Sequence, residues 1–501
     1  MQYQFVKSNQ WKLAFENSEV LILVGSLKDW KASASLKNLP PAERSRLEAF
    51  IKKKNSDFKA GASFSLLGAK DSEADLYLFV TEEAPSAFEL LVFARKVWTA
   101  GLKEATKSLS VYLMSGAATP LMAESLGAAF ATRKFLMPVY GEKKKEQKSF
   151  QIKKVSLCSD KDLNAAFTYG YETGEGSNLV RSLGTIPANF LDPEIYGKKI
   201  KEWAKEYRLG VQFHSKADLQ KLKAGAFLAV NQGDPDSKGG IYELTYRPKA
   251  SKNKKPVALV GKGLCFDTGG YDIKTGGHMA TMKGDMTGSA VALSTLLTAA
   301  RLKLPVFLKA FLVLTENHIS PKSYKADDVV TAMNGRSIEV VNTDAEGRMV
   351  LADALCLASR SKPQLMIDYA TLTGMAVYAI GSNYSAAFTN EESLHAPIVE
   401  AGKKSGERVW TFPTDKDYEK VLKSPVADTL QCSRGRGVDH ILGAVFLSHF
   451  VEKGIPWVHV DLSAADNKGG LAHTDSEFTG FGVRWSLEFL STQLKLKRKS
   501  S

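Results

Sequence analysis

The chain has 501 residues, more than one ordinary hydrophobic core organises, and reads as two domains or one large domain with additions. Its 44% hydrophobic and 24% charged residues are those of a globular protein, which excludes disordered and fibrous classes. The net charge of +13 is spread out, with 25 basic against 18 acidic residues in 1–165 and 42 against 36 beyond, so it does not mark a concentrated nucleic-acid surface.

Residues 1–165 read as a smaller α/β domain. Segment 1–29 joins no basic stretch to a long apolar one, and 20–24 is only strand length, so no secretory leader is expected. Strands are predicted over 21–24 and 75–80, helices over 41–54 and 87–105, and a polar loop over 141–151. No constellation of catalytic residue types occurs here. The densest basic runs (143–145, 252–255 and the tail 495–499) read as solvated loops or tail.

Residues 166–501 read as the larger domain. A long helix over 165–183 is broken by Pro187 and Pro193, and Pro193 opens a helix to Tyr207 with Asp192 as its cap. Strands at 257–260, 306–314, 337–341 and 365–369 alternate with helices at 286–302 and 349–360. This alternation predicts an α/β fold with a mixed, largely parallel sheet flanked by helices. The most apolar stretch, 293–314, is interrupted by Arg301, Lys303 and Lys309, so no membrane span is expected.

Two stretches in this domain carry chemistry. The first is Val260-Gly261-Lys262-Gly263-Leu264-Cys265-Phe266-Asp267-Thr268-Gly269-Gly270, trailed by Lys274 and Asp285. The second is Val341-Asn342-Thr343-Asp344-Ala345-Glu346-Gly347-Arg348, between a β-branched run and a helical one. In an extended segment its i, i+2, i+4 spacing points Asp344, Glu346 and Arg348 to one side. Alone, the octapeptide reads equally as a surface loop with an Asp cap and a Glu–Arg ion pair. Together the stretches hold four carboxylates and two lysines where strands are predicted to end or helices to begin. Crowded carboxylates need compensating cations, and carboxylates suit hard dications or zinc, so two metal ions are the economical reading. The four cysteines show no CxxC spacing, which points to a reducing compartment, and Cys265 reads as a packed small side chain. None of the eight histidines has metal-ligand spacing, and His459 alternates within a strand like a core residue. No Gly-X-Ser-X-Gly elbow occurs at a plausible position.

The pair GKGLCFDTGG…K…D and NTDAEGR resembles the leucyl (cytosol) aminopeptidase family of dinuclear-metal exopeptidases, over roughly residues 170–490. The resemblance implies that Asp267 and Glu346 touch both metals, that Lys262 and Asp285 complete the tightly held site, and that Asp344 completes the exchangeable one. A structural lysine beside Asp267 is the alternative for Lys262. The resemblance further implies that Lys274 donates to the oxyanion and that Arg348 anchors a bicarbonate acting as general base. It places Met282 in a side-chain pocket, and Asn342, Ala345, Thr371, Leu372 and Gly374 against the substrate; an ordinary strand-to-turn transition explains Thr371 and Gly374 as well. It also implies zinc or manganese, peptides with a free N-terminus, a cytoplasmic homohexamer and an oligomer-building N-terminal domain. The likeness frays after 430, at 434–442 and at Leu462-Ser463-Ala464-Ala465-Asp466, which bears on substrate preference and not on the metals. Asp466 reads either as a pocket-rim carboxylate or as the cap of the turn Asn467-Lys468-Gly469-Gly470. The alternative function, suggested by the basic charge, is a DNA-binding or scaffold protein on the same fold.

Overall fold

The structure, a computed structural model, describes residues 2–6, 10–31, 36–37, 39, 41–68, 74–234, 238–252, 254–435 and 437–496. Arg436 and residues 497–499 of the basic tail lie outside them. The chain divides into two compact units, one running to Glu175 with Ala472–Asp475, the other Gly176–Leu471 with Ser476–Leu496.

The first unit holds strands β1 (Gln2–Val6), β2 (Val20–Gly25), β3 (Ser63–Leu66), β4 (Asp75–Val80), β5 (Ser108–Leu113) and β6 (Lys154–Cys158), in the order β1-β6-β5-β2-β4-β3. Every pairing is parallel except β3 with β4. The apolar run of β2 is buried throughout, as expected of a strand paired on both sides. Helix α1 (Ala87–Gly101) starts where Ser86 and Glu89 form a capping box: Glu89 N donates to Ser86 Oγ, and Ser86 N donates to Glu89 Oε2. Helix α2 (Pro120–Lys134) follows.

In the second unit the predicted proline-started helix is α4 (Pro193–Glu206), which follows the long α3 (Asn164–Thr185). Asp192 Oδ1 caps α4 by accepting from Ile195 N at 2.7 Å. The strands are β7 (Gly210–Ser215), β8 (Gly240–Tyr246), β9 (Val257–Asp267), β10 (Leu308–Asn317), β11 (Val329–Thr331), β12 (Ser337–Glu339), β13 (Leu365–Ala370), β14 (Ser385–Thr389), β15 (Val409–Thr411), β16 (Thr429–Leu430) and β17 (Trp457–Asp461). The main sheet has eight strands in the order β15-β14-β17-β13-β9-β10-β8-β7. Its centre, β17-β13-β9-β10, is parallel throughout, while β8 and β7 join antiparallel and β14 runs antiparallel to β17. The sheet is mixed and parallel-rich, as the alternation predicts.

Three local expectations differ. β9 runs through the glycine-rich stretch to Asp267 instead of ending at 260, because β10 stays paired with it to Asp267 after the pairing with β13 ends at Gly261. Lys262 therefore lies within a strand, not at its end. β12, the predicted strand 337–341, pairs with β11 and β16 in a separate three-stranded sheet. The octapeptide is not extended: Thr343–Ala345 is a 3₁₀ turn, and helix α6 (Glu346–Ser359) begins at Glu346 rather than 349. Along a helix two residues span about 200°, so Glu346 and Arg348 leave its opposite sides.

Helix α5 (Thr287–Arg301) crosses the sheet so closely that a Cβ on Gly288 would stand 2.1 Å from Tyr369 O and 3.0 Å from Lys262 N. This approach seats the start of α5, and Asp285 just before it, against the lysine-bearing part of β9. Helix propensity alone favours Gly288→Ala by up to about 1 kcal/mol. Contact with backbone on two strands instead predicts a loss of about 1–3 kcal/mol. A lowered thermal midpoint for Gly288→Ala supports the contact, and a raised one refutes it.

Candidate metal centre

The central parallel strands deliver the site at their carboxyl ends, where open α/β sheets bind ligands. Asp267 closes β9, Thr371 follows β13, and Asp461 closes β17. Helix α7 (Gly374–Ile380) starts just beyond Thr371, and helix α8 (Asp439–Ser448) lies further along the chain. Asp285 precedes α5, and Asp344 and Glu346 stand at the start of α6, where the helix dipole favours negative charge.

The side chains converge. Lys262 Nζ lies 2.8 Å from Asp285 Oδ1 and 2.9 Å from Glu346 Oε1. Lys274 Nζ lies 2.8 Å from Asp267 Oδ2 and 2.5 Å from Asp344 Oδ1. Each ammonium thus bridges one pair of carboxylates. Carboxylate oxygens of Asp267, Asp344 and Glu346 all lie within 4.8 Å of one another. Lys262, Asp267, Asp285 and Glu346 are buried, while Asp344 is 31% exposed. Gly347 makes room: a Cβ there would stand 2.6 Å from Lys262 Nζ. Thr371 Oγ1 donates to Asp285 Oδ1 at 2.7 Å, and Asp285 Oδ2 is buried with no partner.

Electrostatics explain why this cluster calls for more positive charge. Burial, then the Asp267 carboxylate, pushes Glu346 up to about 8 against the opposing pull of Lys262. Burial likewise lifts Asp285 to about 6. Burial and Asp267 raise Asp344 as well. For Lys262, burial works to lower the ammonium, but Asp285, Glu346 and Asp267 raise it and prevail. As a metal ligand this lysine must be a neutral amine, so an incoming cation has to displace its proton. Four carboxylates against two ammoniums, with one buried oxygen orphaned, fit a pair of divalent ions.

A cavity of about 490 Å³ opens on this cluster. All five proposed ligands line it, with Lys274, Met282, Thr371, Leu372 and Gly374. Met282, Leu372, Val377 and Phe478 give it an apolar side, and Asp466 and Lys468 also line it. Asp466 is bridged to Phe478, and burial with Glu477 nearby raises its carboxyl.

Asn342, Ala345 and Arg348 stand outside the lining. Asn342 Oδ1 accepts from Asp344 N at 2.7 Å, and Ala345 O accepts from Gln431 Nε2 at 3.0 Å. Arg348 is buried on the other side of α6, where Nη2 donates to Asp439 Oδ2 at 2.7 Å and Nη1 to Gln431 O at 3.2 Å. Each terminal nitrogen keeps a second N–H beyond these acceptors, and Nε is buried without a partner.

The sequence reading missed the residues that lock the two stretches together. Asn317 Nδ2 donates to Asp267 Oδ1 at 2.9 Å and to Thr343 O at 3.0 Å, and Tyr324 OH also reaches Thr343 O at 2.8 Å. Asp461 Oδ1 accepts from Leu372 N at 3.0 Å, and Thr373 Oγ1 donates to Asp461 Oδ2 at 2.7 Å. No local motif marks these positions, since each meets its partner across a long sequence gap. Among the described residues no histidine lines the cavity; His459 is buried, with Nδ1 2.6 Å from Asp368 Oδ1. His318 instead gathers with Asp234 and Glu316 at a separate, partly exposed position.

The cluster sets a pH dependence. Glu346 and Asp285 hold protons near pH 8 and pH 6, above ordinary carboxylates, so metal loading must expel them. Metal affinity should weaken as pH falls through this window, with proton release on binding growing as it does. Titration calorimetry in buffers of differing ionisation enthalpy measures both, and pH-independent affinity would contradict the geometry.

Comparison with known proteins covers the part of the chain that holds this cluster. The family model for the catalytic domain of the cytosol aminopeptidase family matches residues 178–487. A probable cytosol aminopeptidase of Bdellovibrio bacteriovorus is 41% identical over 322 residues, 64% of this chain and 64% of that protein's length. One from Dechloromonas aromatica is 31% identical over 462 residues, covering 90% of this chain and 92% of its own. Among solved structures, the bottromycin maturation enzyme BotP in complex with Mn is similar at a TM-score of 0.80 and 28% identity, over 95% of this chain and 99% of that one.

Proposed function

The chain belongs to the cytosol aminopeptidase family, and from that membership we propose that it is a metal-dependent aminopeptidase removing the N-terminal residue from peptides. The observation that carries the reading is the buried quartet of carboxylates bridged by two ammoniums beside a cavity, with Asp285 Oδ2 unpartnered. Asp267, Asp285, Asp344, Glu346 and, as a neutral amine, Lys262 would hold two divalent ions. When bound, such ions supply Lewis-acid polarisation of a peptide carbonyl and a lowered pKa for water. These donors suit zinc or manganese, and the BotP relative is described as a complex with Mn.

The chain's own residues do the rest. Lys274, once its carboxylates have other partners, has an ammonium to donate to the carbonyl oxygen as negative charge develops. Asp461 pins the turn after β13, so Leu372 and Gly374 present a fixed wall to the substrate. The apolar side with Met282 suits the N-terminal side chain. Bicarbonate at Arg348, whose Nε is buried without a partner, is carried over from the family resemblance. Four free buried cysteines support a cytoplasmic setting, and among the described residues no helix is long and apolar enough to cross a membrane. Residues 1–165 are assigned to building a homohexamer, as the family resemblance implies. Neither the family nor the site favours the DNA-binding alternative.

The test is release of N-terminal residues from aminoacyl amides by protein loaded with Mn²⁺ or Zn²⁺. Exhaustive chelation, Asp344→Asn and Glu346→Gln should each remove most turnover while leaving the fold intact. Undiminished activity after chelation sinks the dimetal reading. Lys274→Ala should lower kcat by roughly 10²–10³-fold with metal retained. Lys262→Ala should lose metal from one site, and equal metal loss in both variants refutes their separate roles.

Asp466 sets a second expectation. Opposite charges about 4 Å apart at an effective dielectric near 20 attract by up to ~4 kcal/mol before desolvation, so a tenfold preference for Lys over Leu at the substrate's first position is within reach. Lys468 in the same lining works against it. The Lys-to-Leu ratio of kcat/KM should fall in Asp466→Ala, and an unchanged ratio removes Asp466 from specificity.

A further inference from the structure

The turn that carries Asp344 is held by one buried amide from outside the two charged stretches. Gln431 is 0% exposed and directly follows β16, which pairs parallel to β12 with Leu430 opposite Glu339. Gln431 N donates to Glu339 O at 2.8 Å, so the residue is fixed beside the chain that leaves β12 for the turn. Its side chain then serves main-chain groups on both sides of Asp344. Oε1 accepts from Val341 N and Asn342 N at 3.0 Å each, and Nε2 donates to Ala345 O at 3.0 Å. Only this orientation of the amide works. Turned over, its NH₂ would face two N–H donors and its oxygen would face a carbonyl. Between these anchors, Thr343 N donates to Asp272 Oδ2 and Asp344 N to Asn342 Oδ1, at 2.7 Å each.

We propose that Gln431 is a positioning residue of the metal centre, whose amide fixes the backbone on both sides of Asp344 and thereby sets how tightly the ion at Asp344 is held. The inference rests on the dimetal reading of the site. Removing the amide frees two N–H groups and one carbonyl of the turn at once, so the backbone must shift to find other partners. A shift of about 0.5 Å is enough to spoil a ligand set. Asp344, 31% exposed and ahead of the helix, depends on that backbone for its aim. Glu346 has further support as the first residue of α6 and from Lys262 Nζ at 2.9 Å. Lys262 lies in β9 and Asp285 just before α5, so the ion they hold draws its private ligands from parts of the chain that the Gln431 amide does not bond.

The test reads metal binding directly and needs no peptidase activity. Metal-free wild type and Gln431→Met, which keeps the side chain's length without its hydrogen bonds, are titrated with Mn²⁺ by calorimetry. Wild type should bind two ions in separable steps, and Asp344→Asn identifies the step that belongs to Asp344. In Gln431→Met that step should lose about 10–100-fold in affinity, the usual cost of removing a residue that orients a metal ligand, while the other changes by less than about threefold. Turnover of aminoacyl amides by this variant should fall at limiting Mn²⁺ and recover when Mn²⁺ is raised by the same factor. Gln431→Asn, one methylene shorter, should show the same selective loss if Gln431→Met does not fold. Equal losses at both steps, as a general weakening of the fold would give, overturn the proposal. So does an unchanged Asp344 step in a folded variant, or failure of both variants to fold. Wild type that binds fewer than two ions refutes the dimetal reading itself and the proposal with it, a result distinct from two ions bound without help from Gln431.

Discussion

Four carboxylates held in one largely buried cluster repel each other, and the surrounding structure is arranged to make that tolerable. Two like charges about 4 Å apart at an effective dielectric near 20 interact by about 4 kcal/mol, comparable to much of a domain's net stability. Lys262 and Lys274 each bridge one pair, yet Glu346 still holds its proton to about 8 and Asp285 Oδ2 remains without a partner. The neighbouring donors follow from the same constraint. Gly269 N and Asn317 Nδ2 both point at Asp267 Oδ1, and Glu346 opens the first turn of α6, where the helix dipole favours an acid. A site of this kind is under-neutralised by its own chain, which is the electrostatic form of a demand for divalent cations.

The sheet brings these groups together. β9, β13 and β17 run parallel with their carboxyl ends pointing the same way, so Asp267, Thr371 and Asp461 line one cavity although up to about two hundred positions separate them in sequence. The close passage of α5 over β9 and β13 sets Asp285 against Lys262. Thr343, held through its carbonyl by Asn317 and Tyr324, locks the octapeptide to the end of β10. Cluster geometry is thus set by buried hydrogen bonds from residues that carry no charge.

The far side of α6 solves a second charge problem in a different way. Arg348 is as deeply buried as the carboxylates, but it is neutralised by a side chain of the same protein. The partners come from 431–439, where the family likeness begins to fray. A segment that diverges in sequence therefore supports the part of the chain most typical of the family. It does so with Gln431, whose amide reaches the backbone of Val341, Asn342 and Ala345.

The sequence by itself determined the composition of the site. Asp267, Asp285, Asp344, Glu346, Lys262 and Lys274 stood out as an unusual concentration of charge in two short stretches, and alternating apolar runs indicated an α/β fold with a parallel-rich sheet. It did not determine where those charges point. Extended geometry would have put Arg348 beside Asp344 and Glu346, whereas the helix turned it about 200° from Glu346 and gave it to Asp439. A strand was expected to end at 260, and continued pairing with β10 carried it through the glycine-rich stretch as an eleven-residue strand. Asn317, Tyr324, Gln431, Asp439 and Asp461 had no local signature, because their roles exist only after distant segments have met. Residue type is a local property, legible in a single chain; orientation and partnership arise from packing between segments, and only the tertiary structure decides them.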